Sequence, residues 1–186
     1  MSNDHKFYAY GKERAGIEAV MRFHAVKRWH MIDTTRQQTL AEHSANVAVL
    51  AFYIAVTAPG MFFGGASHVA AYALLHDMAE VFTGDIPSHT KTELRGVQQL
   101  EDDTLPSLFR VEHSPNVRIL TKMCDLADGI RFIRLHGVDI TATHAKTGLE
   151  QQLRNWEAKA HTIECWPEHV FKYAFDAIRF YAYEHS

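Results

Sequence analysis

Residues 39–60 read TLAEHSANVAVLAFYIAVTAPG, and their spacing decides the fold class. Thr39 is placed to cap a helix, with Glu42 three residues on as its capping-box partner. Val47, Leu50 and Ile54 then recur at helical spacing, and Pro59-Gly60 ends the run. His43 lies four residues before Val47 and shares its face, so an imidazole is carried inward.

The same period extends in both directions. Upstream, a helix is predicted over Glu13 to Val26, followed by the loop RWHMIDTTRQQ from Arg28 to Gln38. Downstream, Ser67 is expected to cap a helix running to Phe82, with Val69, Ala73 and His76 on its inner stripe. The polar loop GDIPSHTK follows, and then a mostly polar helix over Lys91 to Phe109, with a break expected near Leu105-Pro106. Ser114-Pro115 opens the next helix in N-cap, N1 order. Its stripe is Ile119, Met123, Leu126, Ile130 and Ile133, and it ends at Gly137. Two further helices are predicted, over Ala142 to Ala160 and Pro167 to Tyr183. No segment alternates with period two. The expectation is an all-α bundle of about six or seven helices, one domain over residues 1–186.

Composition narrows the function classes. Of 186 residues, 47% are apolar and 22% charged, enough to bury a core unaided. A net charge of −3 gives no basic field for nucleic acid. The longest nearly apolar run, Val47 to Ala58, is too short to span a bilayer, and the polar N-terminus does not read as a signal peptide. The two cysteines, Cys124 and Cys165, show no CxxC spacing and suit a reducing cytoplasm. The 13 histidines are the unusual feature.

His76 falls on an inner stripe like His43. Asp77 is its neighbour, and Glu80 lies one turn beyond. Any one such histidine reads most simply as a hydrogen-bonded core residue. Two inward histidines beside adjacent carboxylates need a common partner, because buried acids are costly unless paired or bound to a cation. A divalent cation meets that need. Donors of this kind, without sulfur, suit Zn, Co, Mn, Fe or Ni, with Mg also possible.

These residues fall in an ordered pattern: E-H-S at Glu42 to Ser44, LHDMAEVFTGDIP at Leu75 to Pro87, and KMCDLADGI at Lys122 to Ile130, with Arg28-Trp29 fifteen residues before His43. The pattern resembles the HD-domain phosphohydrolases, and within them the YfbR-type 5′-deoxynucleotidases and the phage HD-type dNTP triphosphohydrolases. The resemblance implies His43, His76, Asp77 and Asp125 as metal ligands. Asp128 competes with Asp125 for the fourth place, and periodicity does not separate them, since both lie off the Ile119–Ile133 stripe. The resemblance also implies Glu80 as a catalytic acid that positions water or shuttles its proton, and Asp85 as a second acid near the leaving oxygen.

On the substrate side, Arg28 offers a planar fork for phosphate oxygens and Lys91 a mobile point charge. Trp29 is placed to stack on a base, with Met31 close by and Pro87 or His89 as the opposite wall. The other histidines, among them His136 and His144, read as surface residues. Family resemblance implies a 2′-deoxynucleotide substrate. Lys27, Arg28, Arg36, Lys91 and Arg95 are a modest cationic supply that favours a triphosphate, hence a dNTP triphosphohydrolase of the dATP type. A 5′-deoxynucleotidase is the alternative, and a nucleotide-sensing module ranks below both because Glu80 and Asp85 are present. No nucleic-acid or membrane partner is expected. Relatives of this kind assemble, and aromatic residues from Phe171 to Tyr183 exceed one helix face, so a homo-oligomer is expected. The expected location is the cytoplasm, that of the host if the gene is phage-encoded.

Overall fold

The computed structural model describes residues 18, 20–87, 91, 94, 96–105, 109–163 and 166–184. Among these residues there are seven helices and no strand. We number them α1 (Leu40–Val56), α2 (Gly65–Leu75), α3 (Glu80–Thr83), α4 (Val97–Thr104), α5 (Pro115–His136), α6 (Ile140–Ile163) and α7 (Glu168–Tyr183). The helix predicted over Glu13 to Val26 lies partly outside the described residues, and its described part is helical as far as Arg22.

α1 begins as its sequence dictates: the Thr39 side chain accepts the Glu42 backbone N–H at 3.0 Å. The Glu42 carboxylate does not close the capping box. It turns outward to the Arg36 guanidinium, at 2.6 and 2.9 Å. α5 starts with Ser114 as N-cap and Pro115 at the first position, and ends at Gly137. It packs against α1, α2, α6 and α7. It therefore has no solvent face at mid-length, and Asp125, Asp128 and Gly129 are buried along with the Ile119–Ile133 stripe. That enclosure explains how two acids off the apolar stripe come to be inside.

Three predicted boundaries are corrected. Ser67 is not a cap: α2 starts two residues earlier, after Gly64, whose φ of 72° is the left-handed conformation that glycine adopts without penalty. α2 does not run to Phe82. It stops at Leu75, and Met78, Glu80, Val81 and Phe82 then donate their backbone N–H groups three residues back, to Leu75, Asp77, Met78 and Ala79. This tighter winding sets residues three apart on one side, so Asp77 and Glu80 face the same way. The polar helix does not run unbroken from Lys91, because Gly96, at φ 90°, precedes α4. α4 gives way at Leu105, where a break was expected.

The loop before α1 is stitched at both ends. Lys27 bridges Thr39, Thr34 bridges Gly137, and the Arg28 N–H donates to the Gln38 carbonyl at 2.9 Å. Arg28 and Trp29 are thereby held between the start of α1 and the side of α5.

Candidate active site

His43, His76, Asp77 and Asp125 converge. Each offers one ligand atom, and these atoms lie within 4.8 Å of one another. His43 Nε2 is 3.1 Å from Asp125 Oδ1 and 3.7 Å from Asp77 Oδ2, and His76 Nε2 is 3.2 Å from Asp77 Oδ2. α1 supplies His43, the turns after α2 supply His76 and Asp77, and α5 supplies Asp125.

The far nitrogen of each imidazole is occupied. His43 Nδ1 meets Asp128 Oδ2 at 2.7 Å, and His76 Nδ1 meets the Ala73 carbonyl at 2.6 Å. A carbonyl can only accept, so His76 carries its proton on Nδ1, and the carboxylate favours the same tautomer in His43. Each Nε2 then points a lone pair at carboxylate oxygens, which are acceptors too. Both Nε2 atoms are buried and lack a hydrogen-bond partner. Lone pairs on two imidazoles and two carboxylates, converging with no proton to share, fit a divalent cation, and metal-bound histidines are oriented from behind in this manner. The residues present therefore fit the group that the sequence implies.

Asp128 sits behind this cluster rather than in it. It accepts from His43 Nδ1, Gln38 Nε2 (2.7 Å), Asn46 Nδ2 (2.9 Å) and the Tyr181 hydroxyl (2.7 Å). Burial alone would raise its carboxyl pKa, but these donors outweigh it and lower it. Asp77 is held well below the usual carboxylate range against its burial, by His76 where that imidazole is protonated and by Arg28. Asp125 is likewise held low against burial, chiefly by Lys122.

The cluster lies at one side of a cavity of about 540 Å³. Arg28, Lys91 and Lys122 line it with Glu80 and Asp85. The Arg28 guanidinium donates to Asp77 Oδ2 at 3.0 Å and approaches Asp125 Oδ1 at 3.8 Å. Lys91 corrects its expected role as a mobile charge: Nζ is fixed between Glu80 Oε1 (2.7 Å) and Glu101 Oε1 (2.8 Å). Glu80 is 4% exposed, and its Oε2 has no hydrogen-bond partner. Its burial, helped by the Asp77 charge and opposed by Lys91, pushes its carboxyl up to about 8. Asp85 stands 3.8 Å from His30 Nδ1.

The cationic supply differs from expectation. Of the five cations proposed for it, Arg28 and Lys91 line the cavity. Arg36 is exposed and paired with Glu42, and Arg95 lies outside the described residues, as does His89. Lys122, which bonds Asp125, was not counted and lines the cavity. Its spacing of three from Asp125 was the available signal.

The cavity's other walls include Trp29, Met31 and Pro87, joined by Ile32 and Ile86. Met31 is 66% exposed at the rim. α6 closes the side with Thr141, His144, Ala145, Gly148, Leu149 and Gln152, a face that sequence reading did not assign. His144 is exposed, as expected of a surface residue, but the surface is the cavity's. His136 bonds Thr35 and Arg36 away from the site.

Donors of this kind beside three cations suit a divalent ion with an anionic, phosphate-type ligand. The 5′-deoxynucleotidase YfbR-like family model matches residues 17–124, and the chain belongs to that family. A dATP triphosphohydrolase of cyanophage S-2L is 31% identical over 138 residues, covering 72% of this chain and 78% of that one. The 5′-deoxynucleotidase YfbR of Salmonella arizonae is 36% identical over 72 residues, 38% of this chain and 36% of its own length. Among solved structures, the cyanophage S-2L HD phosphohydrolase bound to dA and one catalytic Zn2+ ion shares the fold. Its TM-score is 0.72 at 24% identity, over 88% of this chain and 95% of that one.

Proposed function

We propose that this chain is a metal-dependent phosphohydrolase of 2′-deoxynucleotides, acting on triphosphates of the dATP type to give a deoxynucleoside and triphosphate. The observation that carries the metal dependence is the pair of buried, unpartnered Nε2 atoms converging with Asp77 and Asp125 beside a cation-lined cavity. The triphosphate reading is supported by the phage relatives, which align over most of both chains.

His43, His76, Asp77 and Asp125 would hold the ion, with Zn, Co or Mn the best matches to the donors. There it would supply Lewis acidity toward phosphoryl oxygens and would make a nearby water more acidic. The chain's own groups do the rest. Asp128 and the Ala73 carbonyl orient the two imidazoles. Lys91 fixes Glu80 Oε1 and leaves Oε2 to take or return a proton. Arg28 and Lys122 set positive charge where phosphate oxygens enter. Asp85 stands as the acid toward the leaving 5′ oxygen. Trp29, with Met31 and Pro87, forms the apolar walls for the base.

The second reading is a 5′-deoxynucleotidase, favoured by the matching family model. Both reactions break the bond between the α-phosphorus and the 5′ oxygen, and their products differ. Incubation with dATP and dAMP, each with a panel of divalent ions, separates them. Intact triphosphate from dATP is the expected product. Inorganic phosphate from dAMP alone would install the nucleotidase, and no turnover of either by the metal-loaded protein would leave a sensing module.

We read residues 1–186 as one domain that acts in a cytoplasm, the host's if phage-encoded, without nucleic acid or membrane. No helix among the described residues is long and apolar enough to cross a membrane. We further propose a homo-oligomer. Packing accounts for Phe171, Phe175 and Tyr181, whereas Phe180 and Tyr183 are exposed. On α1, Val49, Phe52, Tyr53 and Val56 form an exposed apolar stripe at helical spacing.

A further inference from the structure

Gln38 ends the loop before α1 and is 1% exposed. A buried amide is costly unless both its ends are satisfied. Here each end serves a different part of the site. Oε1 accepts the Trp29 indole N–H at 2.8 Å, and Nε2 donates to Asp128 Oδ2 at 2.7 Å. The same Asp128 oxygen meets His43 Nδ1. An unbroken chain of hydrogen bonds thus runs from a wall of the cavity to an imidazole of the ligand cluster.

The tryptophan at the outer end is itself constrained. Its φ of 62° is an outlier for a bulky side chain, of the sort that persists only when its surroundings hold it. Its ring lies parallel to Phe132, at 6.2 Å and 6°. It also rests against α5 at Gly129, where an added Cβ would stand 3.4 Å from the indole. The indole N–H is its one polar handle, and Gln38 takes it.

We propose that Gln38 is a positioning residue that couples Trp29 to His43 through Asp128, so that the cavity wall and the metal-holding imidazole are set as one unit. The proposal rests on the reading of His43 as a ligand. Without the indole N–H, Gln38 Oε1 is left buried and unpaired, and the amide loses the contact that holds it in line with Asp128. A shifted amide donates less squarely to Asp128, and one of the four partners of the carboxylate that orients His43 is weakened. A change at the cavity wall therefore reaches the metal without touching a ligand.

The test is Zn2+ affinity, measured by competition with a chromophoric chelator, in full-length wild type, Gln38→Leu, Trp29→Phe and the double variant. Melting temperatures are recorded alongside. Gln38→Leu is expected to weaken Zn2+ binding about tenfold and Trp29→Phe about threefold. The double variant should bind no more weakly than Gln38→Leu alone. Unchanged Zn2+ affinity in Trp29→Phe overturns the coupling, and so does a double variant that loses the product of the two single factors. If Gln38→Leu does not fold, Trp29→Phe decides alone. Wild-type protein that takes up no Zn2+ overturns the metal reading itself, a result distinct from folded, Zn2+-binding variants without coupling.

Discussion

His43 and Asp125 stand on long, capped helices, whereas His76 and Asp77 stand on the tight turns between α2 and α3. Enclosure differs most between His43, whose side chain is 0% exposed, and Asp77, at 20%, whereas His76 and Asp125 are alike at 9%. Core packing fixes His43 and Asp125, and Asp128 meets His43 from behind. Asp77 and Asp125 line the cavity, one from each backbone, and the turns also carry Glu80 to it, with Asp85 just beyond. On the proposed reading, the helices supply ligands and their supports, whereas the turns also carry the groups that move protons. Substitutions on the two sides should fail in different ways.

The largest effect is expected at Asp77. Asp77→Asn removes a ligand charge and a partner of Arg28, and should lose metal and turnover together, by about a thousandfold or more in rate. Retained turnover at normal metal content would remove Asp77 from the ligand set. Glu80→Ala should bind Zn2+ as wild type does while its kcat falls about a hundredfold or more. A kcat near wild type would reduce Glu80 to a structural partner of Lys91. On the helical side, Asp128→Asn should weaken Zn2+ binding about tenfold to a hundredfold and lower kcat only in step with occupancy. If kcat fell at full occupancy, the division between the two backbones would not hold.

Acidification probes His76. Burial would lower the His76 pKa, but the Asp77 charge outweighs it and raises it above the ordinary value. Protonated imidazole cannot bind metal, so Zn2+ affinity should fall as the pH is lowered into the range where this imidazole gains its proton. An affinity flat over that range would contradict histidine ligation. The smallest effect is expected at Thr39→Ala, which removes the α1 cap. It should cost about 1 kcal/mol in a denaturation curve and leave Zn2+ stoichiometry unchanged.

The same contrast explains what was legible in the sequence. α1 and α5 were readable because their caps and apolar periods are local signals, and His43 could be placed inward from Val47, Leu50 and Ile54 alone. Asp125 and Asp128 could not be separated, because α5 is enclosed on every side and its apolar stripe marks only part of the buried surface. Their difference lies in what surrounds them: Lys122, Arg28 and His43 Nε2 for one, and Gln38, Asn46, Tyr181 and His43 Nδ1 for the other. The turns after Leu75 were read as helix because His76 continues the α2 stripe, while their tighter winding leaves no mark in residue type. Resemblance, not periodicity, supplied Glu80 and Asp85. The α6 wall went unread because Ala145, Gly148 and Gln152 carry no motif, and only folding brings that helix over the cavity.

Chelated protein titrated with Zn2+, with triphosphate release from dATP followed at each addition, tests the central claim most directly. Activity absent in the metal-free protein and restored to saturation at one ion per chain is the expected result. Full turnover by metal-free protein would contradict a reaction built on His43, His76, Asp77 and Asp125.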